Sequence, residues 1–96
     1  MKRAAQLGGY VYARLSTLPY AFQGRGLVWA VQLPSIAAAD AVVDEAAEGG
    51  VLLLRTKRGT VKLGPPLTIP DQQIAMGMDI LSRALLAQYH REARSA

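Results

Sequence analysis

The sequence predicts an α+β fold: a small, mostly antiparallel sheet of about three strands with three helices packed on it, in the order α-β-α-β-β-α. Three observations carry this. Apolar residues recur at helical spacing over residues 3–18, 36–47 and 74–86. A nearly continuous apolar run over residues 27–33 has the length of a strand. Two shorter runs, residues 51–55 and 60–63, flank the basic turn Lys57-Arg58-Gly59, the pattern of a hairpin.

In chain order, Ala4, Leu7, Val11, Leu15 and Leu18 form the first helical stripe. Gly8 and Gly9 each weaken its first half by about 1 kcal/mol relative to Ala, which places the firm part from Tyr10 onward. Pro19 ends it, because the residue before a proline is pushed out of the α region. Gly24-Arg25-Gly26 reads as a turn. The run 27–33 reads as a strand covered on both faces and stopped by Pro34. Ser35 is a good N-cap for the second helix. Its buried stripe would be Ile36, Ala39, Val43 and Ala46 or Ala47, with Asp40, Asp44, Glu45 and Glu48 on the wet face. Gly49 or Gly50 supplies a left-handed residue to close it. In the hairpin Gly59 is free to take positive φ, and Pro65 and Pro66 end the second strand. Pro70 suits the first position of the last helix, and Asp71 favours its positive end. That helix buries Ile74, Met78, Leu81 and Leu85, with Ile80 and Leu86 widening the stripe, and runs to about Glu92.

Length and composition narrow the function. The chain has 96 residues, which suits a single domain over 1–96, and 51% of them are hydrophobic. Without cysteine it has no disulfide, thiolate nucleophile or zinc-thiolate site, which fits a cytoplasmic setting. No apolar run reaches the length of a membrane span. The formal charge of +4 is spread along the chain, with one tight group from Arg55 to Arg58 at the turn. That group keeps a small basic nucleic-acid-binding or interaction domain open as an alternative, but no aromatics are interleaved with it.

Catalytic groups are sparse. The single histidine, His90, reads as a surface residue on a basic helix end. No serine lies in a nucleophile-elbow context. Asp40, Asp44 and Glu48 share a helical face, but a solvated face explains them without a metal. Gly24-Arg25-Gly26 precedes a strand, the reverse of the dinucleotide fingerprint. Lys62 stands out, because it lies at a strand end just before Gly64-Pro65-Pro66, where an ammonium held in a fixed direction can pair with an anionic group. An edge-strand lysine that blunts aggregation is the other reading of the same residue.

Three pieces of sequence, in order, resemble the C-terminal small domain of class III pyridoxal-phosphate aminotransferases. Gly24-Arg25-Gly26-Leu27-Val28-Trp29-Ala30-Val31-Gln32-Leu33 is similar to that family's "G-x-G-L" strand. Glu48-Gly49-Gly50-Val51-Leu52-Leu53-Leu54 is similar to its "G-(V/L)-L-L" strand. The most specific is Val61-Lys62-Leu63-Gly64-Pro65-Pro66-Leu67-Thr68-Ile69, followed by Asp71, Ile74, Gly77, Asp79, Ile80 and Leu81. It resembles the "V-(R/K)-L-x-P-P-L-T-I" block and closing helix.

The resemblance implies fold type I and pyridoxal 5'-phosphate in the complete enzyme, which moves an amino group between an amino acid or ω-amine and a 2-oxo acid. It also implies that the Schiff-base lysine, the aspartate facing the pyridine nitrogen and the phosphate loops lie in a large domain upstream. None of Lys2, Lys57 and Lys62 sits in the Schiff-base context, so the chain is expected to hold no catalytic, cofactor-binding or metal residue and to be inactive alone. Lys62 falls where many members carry a carboxylate-binding arginine and is the expected substrate contact. Lysine keeps the charge but loses the planar fork. Gln23 falls where many members carry arginine before G-x-G. The expected partner is the large domain of the same enzyme, or another copy of the chain through an exposed apolar face, since Trp29, Val31, Leu52 and Leu54 lie on strands with apolar residues on both sides and three helices cover the second sheet face only partly.

Overall fold

The computed structural model describes residues 2–64 and 69–95. Its elements are α1 (Lys2–Leu15), β1 (Phe22–Arg25), β2 (Val28–Gln32), α2 (Ile36–Glu48), β3 (Leu54–Arg55), β4 (Thr60–Leu63) and α3 (Asp71–Ser95). The strands form one antiparallel sheet in the order β1-β2-β4-β3. The fold is α+β as the sequence predicts, with three helices but four strands rather than about three.

The additional strand is β1, in Phe22-Gln23-Gly24-Arg25, which has neither alternation nor β-branched residues to announce it. It exists because Gly26 adopts φ 57 and folds the chain back onto β2, so that Phe22 pairs with Val31 and Arg25 with Val28. The turn read at residues 24–26 is therefore narrower, since Gly24 and Arg25 belong to the strand. Gly24 also makes a close approach possible. A Cβ on it would stand 2.5 Å from Cδ2 of Trp29 and from the backbone oxygen of Val28. The Trp29 ring packs at that point and donates its indole N–H to the Gly26 carbonyl at 2.8 Å.

The helices cover one face of the sheet only. Trp29, Val31 and Val61 point inward to Leu7, Val11 and Leu15 of α1, Ala39, Val42 and Ala46 of α2, and Leu81 and Leu85 of α3. Along β2 the alternate residue Val28 is 66% exposed. The strand expected to be covered on both faces is thus covered on one, because its neighbours are antiparallel and no helix crosses the other face. Of the four strand residues that argue for an incompletely covered sheet, Trp29 and Val31 are core, whereas Leu52 and Leu54 are 89% and 73% exposed.

Local capping follows the sequence closely. The Ser35 hydroxyl accepts the N–H of Ala38 at 3.0 Å, capping α2. At its other end Gly50, at φ 94, is the left-handed residue; Gly50 N–H bonds to Ala47 O and Val51 N–H to Ala46 O, the paired bonds of a Schellman closure. Gly59 takes φ 79 in the β3–β4 turn. The buried stripe of α2 is Ala38, Ala39, Val42 and Ala46, so Ile36 is exposed and Val43 only partly buried. In the first helix, Gly8 and Gly9 are helical and the helix stops at Leu15, four residues before Pro19. Only Leu54 and Arg55 of the run 51–55 pair in the sheet. The last helix continues past Glu92 to Ser95; Leu86 lies largely outside its buried stripe. The expected stop at Pro65 and Pro66 lies outside the described residues.

Candidate functional site: the uncovered face of the sheet

The pairing register sets out the free face residue by residue. One rung carries Gln23 of β1, Ala30 of β2, Lys62 of β4 and Leu54 of β3. The next carries Gln32 opposite Thr60, and on the other side Arg25 stands opposite Val28. These side chains alternate with the buried Trp29, Val31 and Val61 and the partly buried Phe22, so they point away from the helices. Lys62, the substrate contact expected from the sequence, is exposed on this face and lies in the middle of the sheet rather than at its edge. The edge-strand reading of Lys62 therefore does not apply; β1 and β3 are the edges.

The electrostatics of the face are one-sided. All seven Asp and Glu residues lie on α2 or α3. Arg25 and Lys62 lie on the opposite side, and neither side chain has a hydrogen bond or ion pair among the described residues. The other basic groups are more committed. Arg55 forms an ion pair with Asp40 of α2 and donates to Thr56 O. Arg14 bonds to Asp79 at 2.5 Å and to the Tyr10 hydroxyl at 2.6 Å, tying α1 to α3. Burial alone would lower the Arg14 pKa, but the hydrogen bonds to Asp79 and Tyr10 and the charge interactions with both together make the net shift upward.

Gln32 fixes part of the surface. Its amide nitrogen donates to Leu33 O at 2.9 Å and Arg58 O at 3.2 Å, while its amide oxygen accepts from Thr60 Oγ1 at 2.8 Å. Gln32, Thr60, Ala30 and Gln23 line a shallow cavity of about 190 Å³, together with Ala21 and Phe22. A larger cavity of about 450 Å³ lies between residues 49–53 and the first half of α3. Its lining is glycine and aliphatic or thioether side chains, with Gln73 the one polar side chain.

The remaining candidates are structural. His90 is exposed and contacts the edge of the Tyr89 ring. Among the described residues no group of three His, Cys, Asp or Glu is arranged to hold a metal. Sequence reasoning missed one polar latch. The Tyr20 hydroxyl donates to Glu92 Oε1 at 2.7 Å, and the Tyr20 ring meets Tyr89 edge-on, which fastens the α1–β1 connection to the end of α3. Burial, and then the bond to Glu92, raise the Tyr20 pKa well above 10.0, its ordinary value. With the partners 72 positions apart, no sequence spacing could have announced it.

A sheet with helices on one face and Arg25 and Lys62 on the other makes the chain a one-sided α+β unit of a particular family. The comparisons with known proteins say which. The sequence model of the family described as aminotransferase class-III matches residues 1–85, and the chain belongs to that family. It is 41% identical over 66 residues to a diaminobutyrate–2-oxoglutarate transaminase of Streptomyces anulatus, covering 67% of this chain and 16% of that protein. It is 33% identical over 91 residues to an L-lysine-epsilon aminotransferase of Mycobacterium bovis, covering 88% and 20%. Among solved structures, a lysine aminotransferase from M. tuberculosis superimposes with TM-score 0.80 at 30% identity, covering 90% of this chain and 21% of that one. The ornithine aminotransferase of Toxoplasma gondii gives TM-score 0.81 at 26% identity, covering 93% and 23%. The chain thus spans about a fifth or less of the length of the curated relatives it matches.

Class III aminotransferases use pyridoxal phosphate, but the described residues do not fit it. Lys57 and Lys62 are exposed, on a hairpin tip and on the free sheet face, and the larger cavity offers no cation for a phosphate and no lysine for an aldehyde.

Proposed function

We propose that this chain acts as the C-terminal small domain of a pyridoxal-phosphate-dependent class III aminotransferase, a single folded unit over residues 1–96. The complete enzyme transfers an amino group between an amino acid or ω-amine and a 2-oxo acid. In it the free sheet face turns toward the substrate, and Lys62 is the contact for a substrate carboxylate. The observation that carries this reading is the position of Lys62: it is central in the sheet and its side chain is unpaired among the described residues, while all seven acidic residues lie on α2 or α3. An ammonium there is a point charge for an anion without the bidentate geometry of arginine. No helix among the described residues is long and apolar enough to cross a membrane, which is compatible with a cytoplasmic enzyme. The alternative of a nucleic-acid module is weakened by Arg55, which turns from the basic turn to Asp40.

Two measurements test this. The 96-residue chain mixed with pyridoxal phosphate should show neither the absorbance of a lysine-bound cofactor nor turnover with any amine donor; either would overturn the reading. Joined to a large domain encoded in frame upstream, the enzyme should be active. There Lys62→Met should lower kcat/KM by about tenfold, as expected for loss of one charge-assisted contact. An unchanged kcat/KM would remove Lys62 from the substrate side.

A further inference from the structure

Gln23 and Lys62 stand on the same rung, one strand away from Ala30 on either side. Adjacent strands are about 4.8 Å apart, so the two backbones are about 10 Å apart with only a methyl group between them. Both side chains can lean over that methyl from opposite directions. Neither has a hydrogen-bond partner among the described residues, whereas the neighbouring Gln32 amide is bonded through both its nitrogen and its oxygen. The 190 Å³ cavity beside them is lined by Gln23 and Ala30, and the residue opposite Ala30 in the ladder is Lys62. With every Asp and Glu on α2 or α3, nothing on this face competes for the two donors.

We propose that Gln23 and Lys62 bind one carboxylate between them, above Ala30. The Lys62 Nζ supplies the charge. The Gln23 amide nitrogen supplies the second, directional hydrogen bond that a lysine cannot provide by itself. Ala30 is the residue that sets the room: its small side chain leaves the gap the carboxylate occupies. The pair therefore reads a full carboxylate rather than negative charge in general, and it discriminates against the matching amide, whose NH₂ would face two donors. This rests on the reading of the free face as the substrate side, and it adds Gln23 and Ala30 as specificity-determining residues.

The test is an NMR titration of the 96-residue chain with glutarate at fixed ionic strength, under solution conditions where sedimentation shows it monomeric, followed at the Gln23 side-chain amide, the Ala30 methyl and the Lys62 side chain. All three should shift together and saturate at millimolar glutarate, the weak range expected of an exposed ion pair, and glutaramide should leave them unmoved. Gln23→Ala should weaken the apparent affinity by about fivefold through loss of a hydrogen bond to a charged group. Ala30→Leu should weaken it at least as much, with the remaining amide spectrum unchanged; Ala30→Ser, too small to block, should bind like the parent. Saturable shifts at Lys62 that are insensitive to Gln23→Ala and Ala30→Leu would overturn the paired site while leaving Lys62 as a substrate contact. No saturable shift, or shifts that Lys62→Met does not change, would overturn the paired site too. In that case kcat/KM of Lys62→Met in the joined enzyme separately decides whether Lys62 touches substrate.

Discussion

Tyr20 shows how much one side chain contributes to holding distant parts of this chain together. Its phenol is half-buried between the α1–β1 connection and the end of α3 and donates to Glu92. The pKa is raised, so the folded chain holds this proton more tightly than the unfolded chain does. The contribution to stability is therefore full below the ordinary tyrosine value and is lost as pH rises beyond it. Tyr20→Phe removes the titrating group and should make the fall in stability between about pH 9 and about pH 11 shallower than in the parent. Urea unfolding at the two pH values measures this, and equal falls would mean that the Tyr20–Glu92 bond does not govern the alkaline limb. At the same scale, Lys62 was legible as a candidate from its type and its place before a proline pair, but Gln23 became its neighbour only through the pairing of β1 with β2 and β2 with β4.

Among the elements, the helices follow the apolar period well: Ile74, Met78, Leu81 and Leu85 of α3 are all buried as their spacing requires. The stripe of α2 turned slightly from the expected one because a run rich in alanine leaves the direction of the buried face to packing. Strand β1 was hidden because its stability comes from its neighbour. Gly24 leaves the space that the Trp29 ring fills, and two backbone or ring atoms 2.5 Å from an added Cβ leave it no room. Gly24→Ala should therefore cost about 2 kcal/mol, within the range for overpacking, and should loosen the β1–β2 pairing first. Denaturant unfolding with amide exchange across residues 22–32 checks this; an unchanged midpoint would show that β1 is not held by the Trp29 contact.

The whole molecule is long, 43 × 23 × 23 Å, because α3 alone runs 25 residues. Its sheet has one covered face and one bare one on which Val28 and Leu54 expose apolar surface beside Arg25 and Lys62, and Leu52, outside the strands, is exposed as well. We expect the isolated chain to self-associate or bind a hydrophobic dye at micromolar concentration, and Leu54→Lys to reduce both while changing stability by less than about 0.5 kcal/mol, as a surface substitution does. By contrast, Leu81→Ala in the core should cost about 2–5 kcal/mol. Sedimentation and dye fluorescence decide; a monodisperse parent that binds no dye would mean that the bare face needs no cover. The sequence by itself determined the three helices, the hairpin at Lys57-Arg58-Gly59, the Ser35 cap, a closing glycine at Gly49 or Gly50 and the family resemblance, since each rests on residues close together in the chain. Only the tertiary structure decided that Trp29 and Val31 are core while Leu52 and Leu54 are surface, and that Gln23, Ala30 and Lys62 share a rung. The physical reason is that hydrophobicity marks a residue as fit for burial, but which face of a strand is buried, and which strands lie side by side, are set by contacts between segments far apart in sequence.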